Sequence, residues 1–211
     1  MTSELFSRER LAGYDPEVLR GMKVLIVGAG ALANNLILTL ALSGAGKIII
    51  VDFDSFERHN ITRSPLFPNA EEVVAWGMGK AKVVAHKTRH LMTTPNPVAS
   101  YVNAPIQALG DGIFEDVTVI VSAVDNLLGR AYLADKARLH GLPLIEGGFD
   151  GEQVNYSIWP GTKEIEADSA PCWRCSHPVI EGIVSCKDFA RAVIEAGFLP
   201  STQACAATLG G

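Results

Sequence analysis

The stretch VDFDSFERHNITR, residues 51–63, sets two aspartates at the end of an apolar run and follows them with cations and amides. In a nucleotide-binding α/β fold an acid at a strand end holds a ribose. Asp52 is the candidate, because it follows the loop Gly28-Ala29-Gly30-Ala31-Leu32-Ala33 by about 20 residues, the fingerprint spacing. Gly28 allows a tight turn after a strand, and Gly30 lets a phosphate approach the backbone. The helix that follows offers its first amides and its dipole. Ala33 is a tolerated variant of the third glycine. The plain alternative is a strand–helix turn with no ligand. Taken alone, the fingerprint suggests NAD or FAD. A ribose needs one acid, however, and Asp54, Asn60 and Arg63 exceed that need.

Further along, Gly77-Met78-Gly79-Lys80 puts a lysine at the start of a helix. It is not a phosphate-binding Walker loop, which needs glycine at Val74 and Ser or Thr at Ala81. With Arg63, Lys80 suits a polyphosphate and could neutralise charge on a phosphoryl group. The alternative is a solvated lysine. In SAVDNLLGR (122–130), Asp125 ends another apolar run. A hard carboxylate there could hold Mg²⁺ on a triphosphate. Taken alone, Asp125 reads better as the N-cap of the next helix. Cys172-Trp173-Arg174-Cys175 suits half of a zinc site, with a redox pair as the rival.

These groups need a frame, and the apolar pattern supplies one. Residues 23–27, 47–52, 98–102, 117–123 and 142–147 read as buried strands. Helices are expected over 34–46, 80–92 and 127–140, with a short one near 105–115. Strands alternating with helices predict an α/β, Rossmann-like, doubly wound sheet, mainly parallel, with helices on both faces. From residue 150 the rhythm changes. EQVNYSIWP (152–160) alternates like an antiparallel or edge strand, so the C-terminal extension is expected to be antiparallel. A polar loop follows over 161–178, then two helical pieces near 186–197 and from about 200. The chain divides as an N-terminal helical segment (1–21), a nucleotide-binding core (22–150) and a cysteine-containing extension (151–211), all within one domain.

Bulk properties fit that frame. The chain has 48% hydrophobic and 19% charged residues, which supports a core. A net charge of −5 argues against nucleic acid as a partner. No apolar run is long enough for a membrane span, and the N-terminus does not read as a secretory signal. Four cysteines do not make a disulfide scaffold, and a reducing cytoplasm is the expected compartment.

Together these segments resemble the ThiF/MoeB/HesA family, the adenylating domains of ubiquitin-activating-enzyme-like proteins. The likeness runs from Phe6 to about Cys175. Phe6-Ser7-Arg8-Glu9 matches the family's opening Tyr-Ser-Arg-Gln-like helix. The glycine loop matches as VGAGALA. Residues 52–64, DFDSFERHNITRS, match D-x-D-x-V-x-x-S-N-L-x-R-Q. GMGKA (77–81), NPVASYV (96–102), DNLLGR (125–130) and PCWRC (171–175) match in the same order.

The resemblance implies a reaction. ATP and the C-terminal carboxylate of a ubiquitin-like or sulfur-carrier protein ending in Gly-Gly give an acyl-adenylate and pyrophosphate. It implies that Asp52 holds the ribose and that Asn60, Arg63 and Lys80 contact phosphates. The loop Gly28-Ala29-Gly30, Asp54 and Asn126 complete the nucleotide site, and Asp125 binds Mg²⁺. Arg8 matches the arginine that reaches the partner's phosphates in a homodimer. Cys172 and Cys175 would be half of a Zn²⁺ site whose second cysteine pair falls beyond residue 211, so a C-terminal truncation is expected. Cys186 is a candidate thioester nucleophile, with a half-buried structural cysteine as the rival. The sequence departs from the family at Ser64, where the family has glutamine, and Ile61 replaces its leucine. Alternative readings are an adenylating enzyme acting on a small molecule, peptide or modified tRNA base, and an inactive ATP-binding scaffold.

Overall fold

The computed structural model describes residues 2–67, 78–149, 154–161 and 173–176. Three short helices, α1 (Thr2–Leu5), α2 (Ser7–Leu11) and α3 (Pro16–Gly21), precede the first strand. The core then runs β1 (Lys23–Val27), α4 (Ala31–Leu42), β2 (Lys47–Val51), a 3₁₀ helix (Arg58–Arg63), α5 (Lys80–Leu91) and β3 (Val98–Val102). Two 3₁₀ turns, Ile106–Ala108 and Asp111–Phe114, lead to β4 (Val119–Ser122), α6 (Leu127–His140), β5 (Leu144–Phe149) and β6 (Val154–Trp159). A last short helix, α7, spans Trp173–Ser176.

The strands form one six-stranded sheet in the order β3-β2-β1-β4-β5-β6. The first five pair in parallel, and β6 pairs antiparallel with β5 from Leu144–Trp159 to Phe149–Val154. The antiparallel extension expected after residue 150 is therefore present in β6. Strand alternation sorts side chains onto two faces. Val24 and Ile26 of β1 pack with Ile48, Ile50, Ala33, Ile37 and Val84, beneath α4 and α5. Their neighbours Leu25 and Val27 face the other way, against Leu133, Ala137 and Trp173. Both faces are covered, which is why the central strands read as continuous apolar runs.

Several boundaries differ from expectation. Helix α4 begins at Ala31, because Gly30 already serves as its N-cap, and it ends at Leu42. The segment near 105–115 forms two 3₁₀ turns rather than one helix. The polar run after Asp54 forms a 3₁₀ helix that the hydrophobic pattern did not announce. The expected helices at 186–197 and beyond 200 lie outside the described residues, as do Cys172, Cys186 and most of the 161–178 loop. Cys175 lies in α7, and its side chain is outside the described set.

Candidate functional site

A cleft of about 310 Å³ opens beyond the C-terminal ends of the parallel strands. It gathers Gly28 and Gly30 after β1, Asp52, Asp54, Asn60 and Arg63 after β2, Lys80 from α5, and Asp125 and Asn126 after β4. Its wall continues to Ala104, Ile106 and Gln107 beyond β3, and to Gly147 and Gly148 in β5. Residues from distant parts of the sequence meet here because parallel strands deliver all their C-terminal ends to one edge.

The glycine loop is pinned from several sides. Gly28 adopts φ +99° and donates its N–H to the Val51 carbonyl at 2.8 Å. Ala29 is fully buried, and its N–H donates to Asp52 Oδ2 at 2.6 Å. Asn34, buried inside α4, donates its amide to the Ala29 and Gly30 carbonyls at 2.8 and 2.9 Å. Asn34 was missed in the sequence. The available signal was an amide at i−3 from Ile37, on the apolar side of the helix, where a polar side chain must find a hydrogen-bond partner.

Asp52 also accepts from the Asp54 N–H at 2.7 Å, through Oδ1. Burial raises its carboxyl above the ordinary carboxylate range, against the lowering pull of these two amides and of Lys80. A carboxyl with a raised folded-state value favours the folded chain while it stays protonated. That contribution is full below the unfolded-state value and is lost as pH rises through the folded-state value. Asp52→Asn cannot ionise and so escapes this loss. The stability deficit of Asp52→Asn relative to the parent, followed by urea unfolding, therefore shrinks as pH rises through that window. A deficit that grows with pH would refute the raised carboxyl.

Lys80 does not stand free. Its Nζ lies 2.7 Å from Asp54 Oδ2, and its backbone N–H donates to the Asp54 carbonyl at 2.8 Å. An antiparallel bridge between Ser55 and Gly79 and a 2.9 Å bond from Phe56 N–H to the Met78 carbonyl clamp the two segments together. Lys80 is only 13% exposed, so a counterion is needed to offset its desolvation. Asp54 supplies that counterion.

Asn60 is buried, and its Oδ1 accepts from the Glu57 N–H at 3.0 Å in a reciprocal cap with the Glu57 side chain. This leaves the Asn60 amide nitrogen as the donor it can offer a ligand. His59, 3.2 Å from Glu57 through Nδ1, lines the cleft with Glu57, and neither was expected there. Ser64, where the family glutamine was missing, is buried and does not line the cleft.

The expected cap of α6 is corrected. Asn126, not Asp125, accepts from the Gly129 N–H, at 2.7 Å. Asn126 adopts the extended backbone an N-cap needs, and Asp125 sits one residue outside the helix. Asp125 is exposed on the cleft, and its side chain makes no hydrogen bond or ion pair among the described residues. Arg130 bridges α6 to β5, donating to the Gly147 carbonyl at 2.7 Å with Glu146 at 3.4 Å. Arg8 is exposed on α2 and does not line the cleft of its own chain. No group of three metal-ligating side chains occurs among the described residues, and none of the helices described is long and apolar enough to cross a membrane.

Comparison with known proteins places this geometry. A family model described as the ThiF family matches residues 8–209. The "Adenylyltransferase and sulfurtransferase uba4" of Aspergillus fumigatus is 30% identical over 175 residues, covering 81% of this chain and 34% of that protein. The "SAMP-activating enzyme E1" of Haloferax volcanii is 31% identical over 195 residues, covering 89% of this chain and 64% of that protein. The chain thus spans only part of the length of these relatives. Among solved structures, E. coli MccB with AMPCPP and MccA has the same fold, with a TM-score of 0.73 at 21% identity, over 99% of this chain and 60% of that one.

Proposed function

Because the chain belongs to the ThiF family, we propose that it binds ATP in this cleft and adenylates the C-terminal carboxylate of a ubiquitin-like or sulfur-carrier protein. One observation carries the reading: Asp52, Asn60, Arg63, Lys80 and Asp125 line a single cleft. In the reaction a carboxylate oxygen attacks the α-phosphorus. The bond from that phosphorus to the bridging oxygen breaks, and pyrophosphate leaves with its electron pair. The nucleophile is already ionised, so catalysis rests on positioning and on cations rather than on a general base.

Asp52 would take the ribose, and the loop at Gly28–Gly30 would face the phosphates. Asn60, Arg63 and Lys80 would contact those phosphates. Asp54 holds Lys80 in place through the 2.7 Å ion pair. Asp125 fits Mg²⁺, because this cation uses one or two carboxylates plus substrate phosphates, and the Asp125 oxygens are uncommitted. When bound, Mg²⁺ would draw charge from the triphosphate.

Arg8 would act on the partner's phosphates in a homodimer. Cys172 and Cys175 would hold half of a zinc site, and Cys186 would take the acyl group as a thioester. Residues 1–21, 22–150 and 151–211 would be the helical segment, nucleotide core and carrier-binding extension of one cytoplasmic domain.

The test is ATP–pyrophosphate exchange. Exchange is expected only when a carrier ending in Gly-Gly is present, and removal of its last glycine abolishes it. Exchange with a small molecule or short peptide alone would move the reading to another acceptor. ATP binding without exchange on any acceptor would leave the inactive ATP-binding scaffold.

A further inference from the structure

We infer that His86 and His90 form a surface site for a borderline divalent transition-metal ion, away from the nucleotide cleft. Both histidines sit on α5, four residues apart, and both are exposed. The same helix buries Ala81, Val84, Ala85 and Thr88. Those positions repeat at three and four residues, so the two imidazoles stand one turn apart on the opposite, outer side. Neither lines the cleft, which α5 reaches only at Lys80. The site therefore does not depend on the ATP reading.

The rings already stand at a chelating separation. Their centroids are 4.9 Å apart, with the planes at 62°. An imidazole nitrogen binds such a metal at about 2.0–2.1 Å. The ring centre lies roughly 1.2 Å behind that nitrogen, so two rings meeting on a metal at a right or tetrahedral angle have centres about 4.5–5.2 Å apart. The observed separation falls within that span. Neither ring makes a hydrogen bond or ion pair among the described residues, so both are free to turn a nitrogen inward.

The surroundings select the ion. Helix α5 contains no acid, so a hard cation such as Mg²⁺ finds no carboxylate there. Imidazole suits Ni²⁺, Cu²⁺ and Zn²⁺ instead. Lys82 and Lys87 flank the pair and oppose a cation. Arg89 is drawn aside, donating Nη2 to the Ala99 carbonyl at 2.9 Å. His90 lies in the last turn, where the helix dipole favours positive charge. In a hydrolytic zinc helix a glutamate base follows the first histidine. Lys87 occupies that place here, so the pair binds a metal without that base, and water fills the remaining positions.

The experiment titrates Ni²⁺ into the untagged 211-residue chain by calorimetry, beside His86→Ala, His90→Ala and the double variant. The cysteines are the same in every chain, so any thiolate binding is common to all. The parent is expected to take up one more equivalent of Ni²⁺ than the double variant. Each single variant keeps one imidazole and loses the chelate, so affinity at that equivalent falls at least about tenfold. In the parent, bound Ni²⁺ broadens the ring-proton resonances of both histidines together. Mg²⁺ produces no difference between parent and double variant. The site is overturned if the double variant binds Ni²⁺ with the parent's stoichiometry and affinity, or if either single variant binds as tightly as the parent. A parent that binds no Ni²⁺ overturns it as well. Both positions are exposed, and circular dichroism checks that each variant is folded.

Discussion

Asp125→Ala lowers ATP–pyrophosphate exchange by about 10²- to 10³-fold and leaves the fold intact. The two halves of this expectation have separate grounds. The loss is expected because Asp125 is the carboxylate on the cleft whose oxygens the described chain leaves uncommitted. Asp54 is bound to Lys80, and Asp52 accepts two backbone amides. The intact fold is expected because Asp125 caps nothing. The cap of α6 is Asn126, and exposed residues outside caps and cores usually change stability by less than about 0.5 kcal/mol. Asn126→Ala differs in stability, with a loss of about 1 kcal/mol from the lost cap. Urea unfolding beside exchange rates separates the two. Native-rate exchange by Asp125→Ala would remove Asp125 from the metal role.

The sequence already carried the frame of this site. After their first lysines β1 and β2 are short apolar runs, and burial on both faces leaves no polar residue to blur them, whereas β3 at the sheet edge carries Ser100 and an exposed Tyr101. The spacing from the glycine loop to Asp52 was equally legible, because strand length and one crossover helix fix it. What stayed hidden depended on contacts between segments. The ion pair that keeps Lys80 beside Asp54 is made by a two-residue antiparallel pairing that no period reveals. The cap of α6 passed to Asn126 because adjacent Asp and Asn are equally good caps, and only backbone angles decide between them. His59 and Gln107 were unremarkable polar residues until the turns after β2 and β3 brought them to the cleft. Glu57 had no role in the sequence and Asn60 read as a phosphate contact, and only the structure shows that they cap each other and hold the 3₁₀ helix that presents Arg63.

Two glycines of one loop divide the work between folding and binding, and their alanine variants are expected to fail in opposite ways. Gly28 has φ +99°, where an L side chain is strained, and a Cβ there would lie 2.5 Å from the Ala123 carbonyl oxygen. That oxygen is backbone, held by the 2.8 Å bond from the Ala123 N–H to the Val27 carbonyl, so it cannot move without parting β1 from β4. Backbone strain of roughly 1–2 kcal/mol and overpacking of roughly 1–3 kcal/mol add to a large fraction of a domain's stability. Gly28→Ala is expected to lower the urea midpoint sharply or fail to fold. Gly30 differs. It has an ordinary φ of −76°, and a Cβ there meets nothing within 4 Å. The alanine loses a little as an N-cap and gains about as much by restricting the unfolded chain, so stability changes by less than about 1 kcal/mol. Its methyl group, however, fills space on the cleft wall where the phosphates are placed, and ATP affinity is expected to fall at least about tenfold, the 1.4 kcal/mol of a single lost contact. Unfolding curves and ATP titrations on the two variants separate these effects. A Gly28→Ala chain as stable as the parent would refute the loop geometry. A Gly30→Ala chain that binds ATP with parental affinity would move the phosphates away from this loop, even if Asp52 still held the ribose.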